Sequence, residues 1–189
     1  MLITDMLLGN KYIDFYFGGS TTMNVITFVE KLHNLDLQPV GQKLMSNEQG
    51  TGWTEEKTQV AIARYKMFLL LHFLFPHISL VPTQEIDEVW HTHILLNTRQ
   101  YFQDCQHLFG DILHHYSPAE VDKAERQHQE TAFSVTLNLF EEVFGVGVLG
   151  DTQAQTAACL SLPIAPHQPL INAACLTLPK QLPQLITTG

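Results

Sequence analysis

Cysteine is scarce in this sequence. Cys105, Cys159 and Cys175 are three in 189 residues, an odd and scattered set that cannot form a disulfide framework and that fits a reducing compartment. Positive charge is short as well, with ten Lys and Arg against nineteen Asp and Glu and a formal net charge of -9. No basic footprint is left to displace counterions from a phosphate backbone, so nucleic acid is not an expected partner. Nor is there a clean apolar run. The longest, residues 67–81, is broken by His72, Pro76 and His77, whereas a bilayer span needs roughly 18 to 20 uninterrupted residues. A long glycine-rich segment is also missing, the densest group of three being Gly145, Gly147 and Gly150. Asp5 and Lys11 flank a brief apolar stretch that lacks the order of a secretory signal. These absences predict a cytoplasmic protein of one domain plus a tail, long enough to bury a real core.

The patterning that is present is mostly helical. Residues 1–22, with Tyr12, Phe15, Tyr16, Phe17, Gly18 and Gly19, show no sustained period and read as an irregular lead-in; Met23 offers a second possible start codon. Thr22 can cap a first helix with an apolar face of Val25, Ile26, Phe28, Val29 and Leu32, ending near Asn34. Residues 35–53, with Pro39, Gly41, Gly50 and Gly52, have the composition of a surface loop. Thr54 caps a second helix with Glu55 and Glu56 in its first turn; its far half is apolar on nearly every face, which predicts a central position before Pro76 stops it. Pro82 and Thr83 open a third helix, and a fourth covers residues 98–108 with Gly110 as its C-terminal cap. Ser117-Pro118-Ala119-Glu120 is a capping box that predicts a fifth helix running to about Phe144. The expected fold is therefore all-α: a compact bundle of about five helices over residues 23–145. Residues 146–189 read as an extended Pro-rich tail holding a two-copy repeat, in which Ala157 to Pro163 returns as Ala173 to Pro179. Two copies are too few for a solenoid.

Chemistry concentrates in the third helix and in the segment after it. The run from Pro82 to His93 packs Asp87, Glu88, Trp90, His91 and His93 together, and Cys105, His107, His114 and His115 come within about two dozen residues, a density of borderline metal ligands that helix-filling does not require. Asp87 and His91 are four apart and share one helical face, with Glu88 in reach of His91 at three apart. His93 lies roughly 200° around the helix from His91, so the two cannot easily hold one ion unless the helix ends or distorts there. The neighbours His114 and His115 must point in different directions.

The segments Ala63-Arg64-Tyr65-Lys66-Met67-Phe68-Leu69, Leu80-Val81-Pro82-Thr83 and Ile86-Asp87-Glu88-Val89-Trp90-His91-Thr92-His93, with Tyr101, Asp104-Cys105, Phe109-Gly110 and His114-His115 after them, resemble the glycine-rich domain-containing protein-like family. The resemblance covers residues 55–116. Its signature is an acid three residues before Trp-His-x-His, then Tyr-x-x-Asp-Cys, then a glycine and a histidine. That family occurs in plants, fungi and bacteria without an assigned activity, and its plant members are linked to stress responses and development. The resemblance singles out Asp87, Trp90, His91, His93, Tyr101, Cys105 and one of His114 or His115. This chain lacks the long glycine-rich segment and the RNA-recognition domain that some plant members add, so the resemblance carries no RNA role.

The residues support two main readings. In the first, the domain holds one divalent transition ion, zinc or iron, on Asp87, His91, His93, Cys105 and His114, with Trp90, Tyr101 and His115 supporting and Glu88 as a conceivable base. In the second, Trp90, His91, His93 and Tyr101 form a polar core network in a non-enzymatic interaction domain, with a protein partner or a second copy as ligand. A cysteine nucleophile at Cys105 is a third expectation of lower standing, because His107 faces away from it on a helix and only a distant histidine such as His114 could activate it.

Overall fold

The computed structural model describes residues 25–116 and 122–150, together with the backbone of residues 160 and 161. Among them are six helices: α1 (residues 25–34), α2 (Gln38–Met45), α3 (Glu55–Leu74), α4 (Gln84–Leu96), α5 (Thr98–Phe109) and α6 (Lys123–Phe144). Two short strands, β1 (His115–Tyr116) and β2 (Leu160–Ser161), pair antiparallel with His115 opposite Ser161. The all-α expectation holds. No helix among the described residues is long and apolar enough to cross a membrane.

α3 is the axis of the bundle, packed against α2, α4 and α6. Thr54 accepts a hydrogen bond from Lys57 N and starts it, Glu55 and Glu56 meet its positive end, and it stops at Leu74, just before Pro76. Its second half is apolar all round, and accordingly Phe68, Leu69, Leu70, Leu71 and His72 are all buried. α1 packs against the far end of α3, where Phe28 stacks on Phe73 with ring centroids 4.1 Å apart. Val25, Phe28, Val29 and Leu32 are the buried face of α1, while Ile26 is exposed.

α2 replaces the surface loop expected at residues 35–53. Asp36 accepts a hydrogen bond from Gln38 N, Pro39 sits in the first turn, and Val40, Gly41 and Leu44 are buried. Leu37, Val40, Gly41 and Leu44 in fact keep a helical spacing. Gly41 is a contact residue, not a breaker: a Cβ there would lie 3.2 Å from Ile62 Cδ1 on α3. Its bare backbone lets the two helices approach.

The Thr22 cap, the lead-in, the Ser117 to Glu120 box and most of the 157–186 repeat lie outside the described residues. The described part of α6 starts at Lys123, where the Asp122 side chain accepts from Glu125 N. α6 is tied to the link before α4 by Thr136, whose hydroxyl accepts from Val81 N at 2.9 Å and donates to Ala132 O. Past Gly145 the chain packs back on the bundle, since Leu149 is buried and Arg64 Nε donates to Val148 O.

One core residue has an unusual burden. His72 is 1% exposed, its Nε2 has no partner among the described residues, and its ring meets Phe68 edge-on at 4.7 Å. Burial drives its pKa from 6.5 down to about 3, so the folded protein carries it neutral. The unfolded chain binds this proton below about pH 6.5 and the folded one does not until about pH 3, so stability falls as pH falls through that window, by about 1.4 kcal/mol per unit from this group. Urea denaturation between pH 7 and pH 4 is expected to show this slope in the parent and a visibly shallower one in His72→Leu. Equal slopes would refute the assignment.

Candidate metal centre

α4 carries the cluster. Thr83 caps it by accepting from Ile86 N, and Ile86, Val89, Trp90 and His93, at the spacing of one helical face, turn into the core. Asp87 and His91 stand one turn apart at the edge of that face, with Asp87 Oδ2 3.6 Å from His91 Nδ1. The third member arrives from beyond α5. Gly110, at φ 75°, ends α5 in the left-handed conformation that glycine adopts without strain, and the chain turns back through buried Leu113 to β1. There His115 Nε2 lies 2.8 Å from Asp87 Oδ1.

One ligand atom each from Asp87, His91 and His115 falls within 4.8 Å of the other two. Donors bound to a common zinc-like ion at about 2.0–2.1 Å would stand about 2.9–3.4 Å apart, which small side-chain adjustments reach from here. The rings of His91 and His115 are 4.4 Å apart, and Trp90 supports His115 edge-on at 4.6 Å. The His115 side chain is 10% exposed and that of His91 is 41%, so the cluster is closed beneath and open on the His91 side.

The structure leaves the other expected ligands outside this cluster. His114, just before β1, is exposed, while His115 on β1 is directed inward. The pair does diverge, with the inner place taken by the residue expected to be only a support. His93 lies on another face of α4, where Nδ1 is 3.1 Å from the Tyr65 hydroxyl and Nε2 is 3.0 Å from Asp104 Oδ2. Burial above all raises the Tyr65 pKa, so its O–H is kept and donates to Nδ1; Nε2–H then donates to Asp104. Burial lowers the His93 pKa against the opposing pull of Asp104, so the ring is neutral with both nitrogens occupied. It has no lone pair for an ion.

Cys105 is also elsewhere, buried on α5 beside Tyr101 and the Leu113 backbone. Burial pushes its thiol up, the reverse of what a thiolate ligand or nucleophile needs. Trp90 Nε1 donates to the Tyr101 hydroxyl at 2.9 Å, and that hydroxyl donates to Leu113 O. Glu88 is half-buried on α4, with no hydrogen bond or ion pair among the described residues. Sequence reasoning gave no role to Tyr65 and Asp104, although both fall inside the segments carrying the family resemblance.

Residues 29–138 match the family model described as UCP032817-like, more than half of the chain and the whole of the cluster. The chain belongs to the UCP032817-like family. Two curated relatives from Arabidopsis thaliana, glycine-rich domain-containing protein 1 and glycine-rich domain-containing protein 2, are 38% and 37% identical to it over 91 residues. The matched stretch is 46% of this chain and 11% of each relative, so this UCP032817-like chain spans a small part of their length. The resemblance to glycine-rich domain-containing proteins is thereby borne out. No solved structure matches.

The Tyr101 hydroxyl is the joint of the UCP032817-like core, since Tyr101→Phe strands a buried indole N–H and removes a donor from Leu113 O. A loss of about 1–3 kcal/mol is expected in urea denaturation. Replacing the half-exposed Tyr116 by Phe should change stability by no more than about 0.5 kcal/mol.

Proposed function

We propose that this domain binds one divalent transition-metal ion on Asp87, His91 and His115. The observation that carries the reading is the convergence of a carboxylate and two imidazoles, from α4 and β1, within 4.8 Å of one another. Two nitrogens and one oxygen suit zinc or ferrous iron, whereas magnesium and calcium prefer all-oxygen shells. Three protein ligands with solvent on the His91 side leave a coordination position open, and an ion held this way supplies Lewis acidity there. Glu88, three residues before His91 on the same helix, is the candidate proton acceptor. The low cysteine content and the buried free thiol of Cys105 support a cytoplasmic setting.

A second reading, a non-enzymatic interaction domain, is favoured at other positions by the closed hydrogen bonds of Trp90, Tyr101, His93 and Tyr65. Those residues satisfy one another without an ion, as a network that fixes helix packing does. A protein partner or a second copy of the chain would then be the ligand.

Metal analysis of tag-free protein, loaded with Zn(II) or Fe(II) and desalted, separates the two. About one ion per chain is expected in the parent, in Cys105→Ala and in His114→Ala, with loss in Asp87→Asn, His91→Ala and His115→Ala. A parent that retains no stoichiometric metal overturns the first reading and leaves the second.

A further inference from the structure

α4 has a second polar site, on the side away from the metal cluster. A cleft of about 670 Å³ lies between α2 with the turn after it and the junction of α4 and α5. Small-ligand pockets are about 300–1,000 Å³, so the volume is of the right order. His93 and Asp104 form part of its wall, and Lys43 and Asp36 also line it.

We propose that this cleft binds a small molecule with a cationic nitrogen and an anionic group joined by a short aliphatic stem, a basic amino acid of the arginine type, with Asp104 holding the cation and Lys43 the anion. Asp104 is built for the task. Its Oδ2 is held by His93 Nε2 and its Oδ1 by Gln100 Nε2, both at 3.0 Å, and each oxygen keeps lone-pair capacity for a further donor. Its side chain is 16% exposed, and no Lys or Arg is paired with it among the described residues. The carboxylate is thus oriented before any ligand arrives, and little ordering is left for binding to impose.

The remaining walls fit the rest of such a molecule. Lys43 is half-buried and has no carboxylate partner among the described residues. Asp36 and Asp104 against the single cation Lys43 give the lining a negative balance, and the net charge of -9 attracts cations to the whole chain. Leu96, a large apolar residue left 43% exposed at the end of α4, joins Pro39 in supplying a surface for an aliphatic stem. The proposal uses none of Asp87, His91 or His115 and does not rest on the metal reading.

Calorimetric titration of the full chain with three probes tests it: L-arginine, agmatine, which lacks the carboxylate, and L-citrulline, whose ureido group is neutral. Saturable one-to-one arginine binding is expected, with citrulline weaker by about tenfold or more. Asp104→Asn should weaken arginine and agmatine alike by about tenfold, whereas Lys43→Met should weaken arginine and leave agmatine within about twofold. Because Asp104→Asn also disturbs His93, Gln49→Trp on the exposed rim supplies an independent block that leaves the hydrogen-bonded network intact, and it should abolish binding. The proposal is overturned if arginine fails to saturate, if Asp104→Asn leaves arginine affinity unchanged, if binding survives Gln49→Trp, or if Lys43→Met affects both cationic probes equally. His91→Ala, a variant outside the cleft, should bind arginine as the parent does.

Discussion

The hydroxyl of Tyr101 holds the architecture of the site together. It accepts from Trp90 on α4 and donates to the carbonyl of Leu113, which lies past the end of α5. Each of these groups is buried, and a buried polar group without a partner costs about 1–3 kcal/mol, so the three elements have few alternative arrangements. The consequence reaches two residues further on. With Leu113 pinned, the chain continues into β1, which its pairing with β2 also holds, and His115 Nε2 meets Asp87 Oδ1 at 2.8 Å. The Tyr101 hydroxyl, hydrogen-bonded to neither Asp87 nor His115, thus helps to place the segment that carries the third member of the cluster.

The 3.6-residue period of α4 then sorts its polar side chains into separate tasks. Asp87 and His91, one turn apart, stay together at an edge that solvent reaches. His93, two residues further, turns into the bundle, where Tyr65 and Asp104 occupy both its nitrogens. The same dense run of histidines thus serves an open cluster and a closed network, and the difference is geometric before it is chemical.

Signals confined to a few residues were legible in the sequence. The Thr54 and Thr83 caps, the Gly110 stop, the central position of α3 and the pairing of Asp87 with His91 all derive from spacing within one element. The features that could not be read depend on partners far along the chain. Choosing His115 over His114 requires knowing which way a two-residue strand faces, and that depends on Leu113 and on β2. Cys105 looked like a ligand because a thiol's chemistry depends on burial, which no local pattern displays. α2 was hidden for a different reason: Pro39 and Gly41 look like breakers, yet one fits a first turn and the other permits contact with Ile62. The missing information was tertiary in each case.

The unequal exposure of the two histidines bears on what the cluster is for. His115 is backed by Trp90 and held to Asp87, while His91 leaves 41% of its side chain to solvent. A purely structural network gains from covering all its members, because each covered hydrogen bond is strengthened by the lower dielectric around it. Leaving one imidazole uncovered forgoes that gain. For the ion proposed above, it would leave two donors covered by the core, at Asp87 and His115, and a third open to solvent at His91, the side from which an ion could enter. On the metal reading proposed above, that asymmetry puts the entry to the site at His91 and its covered floor at Asp87 and His115.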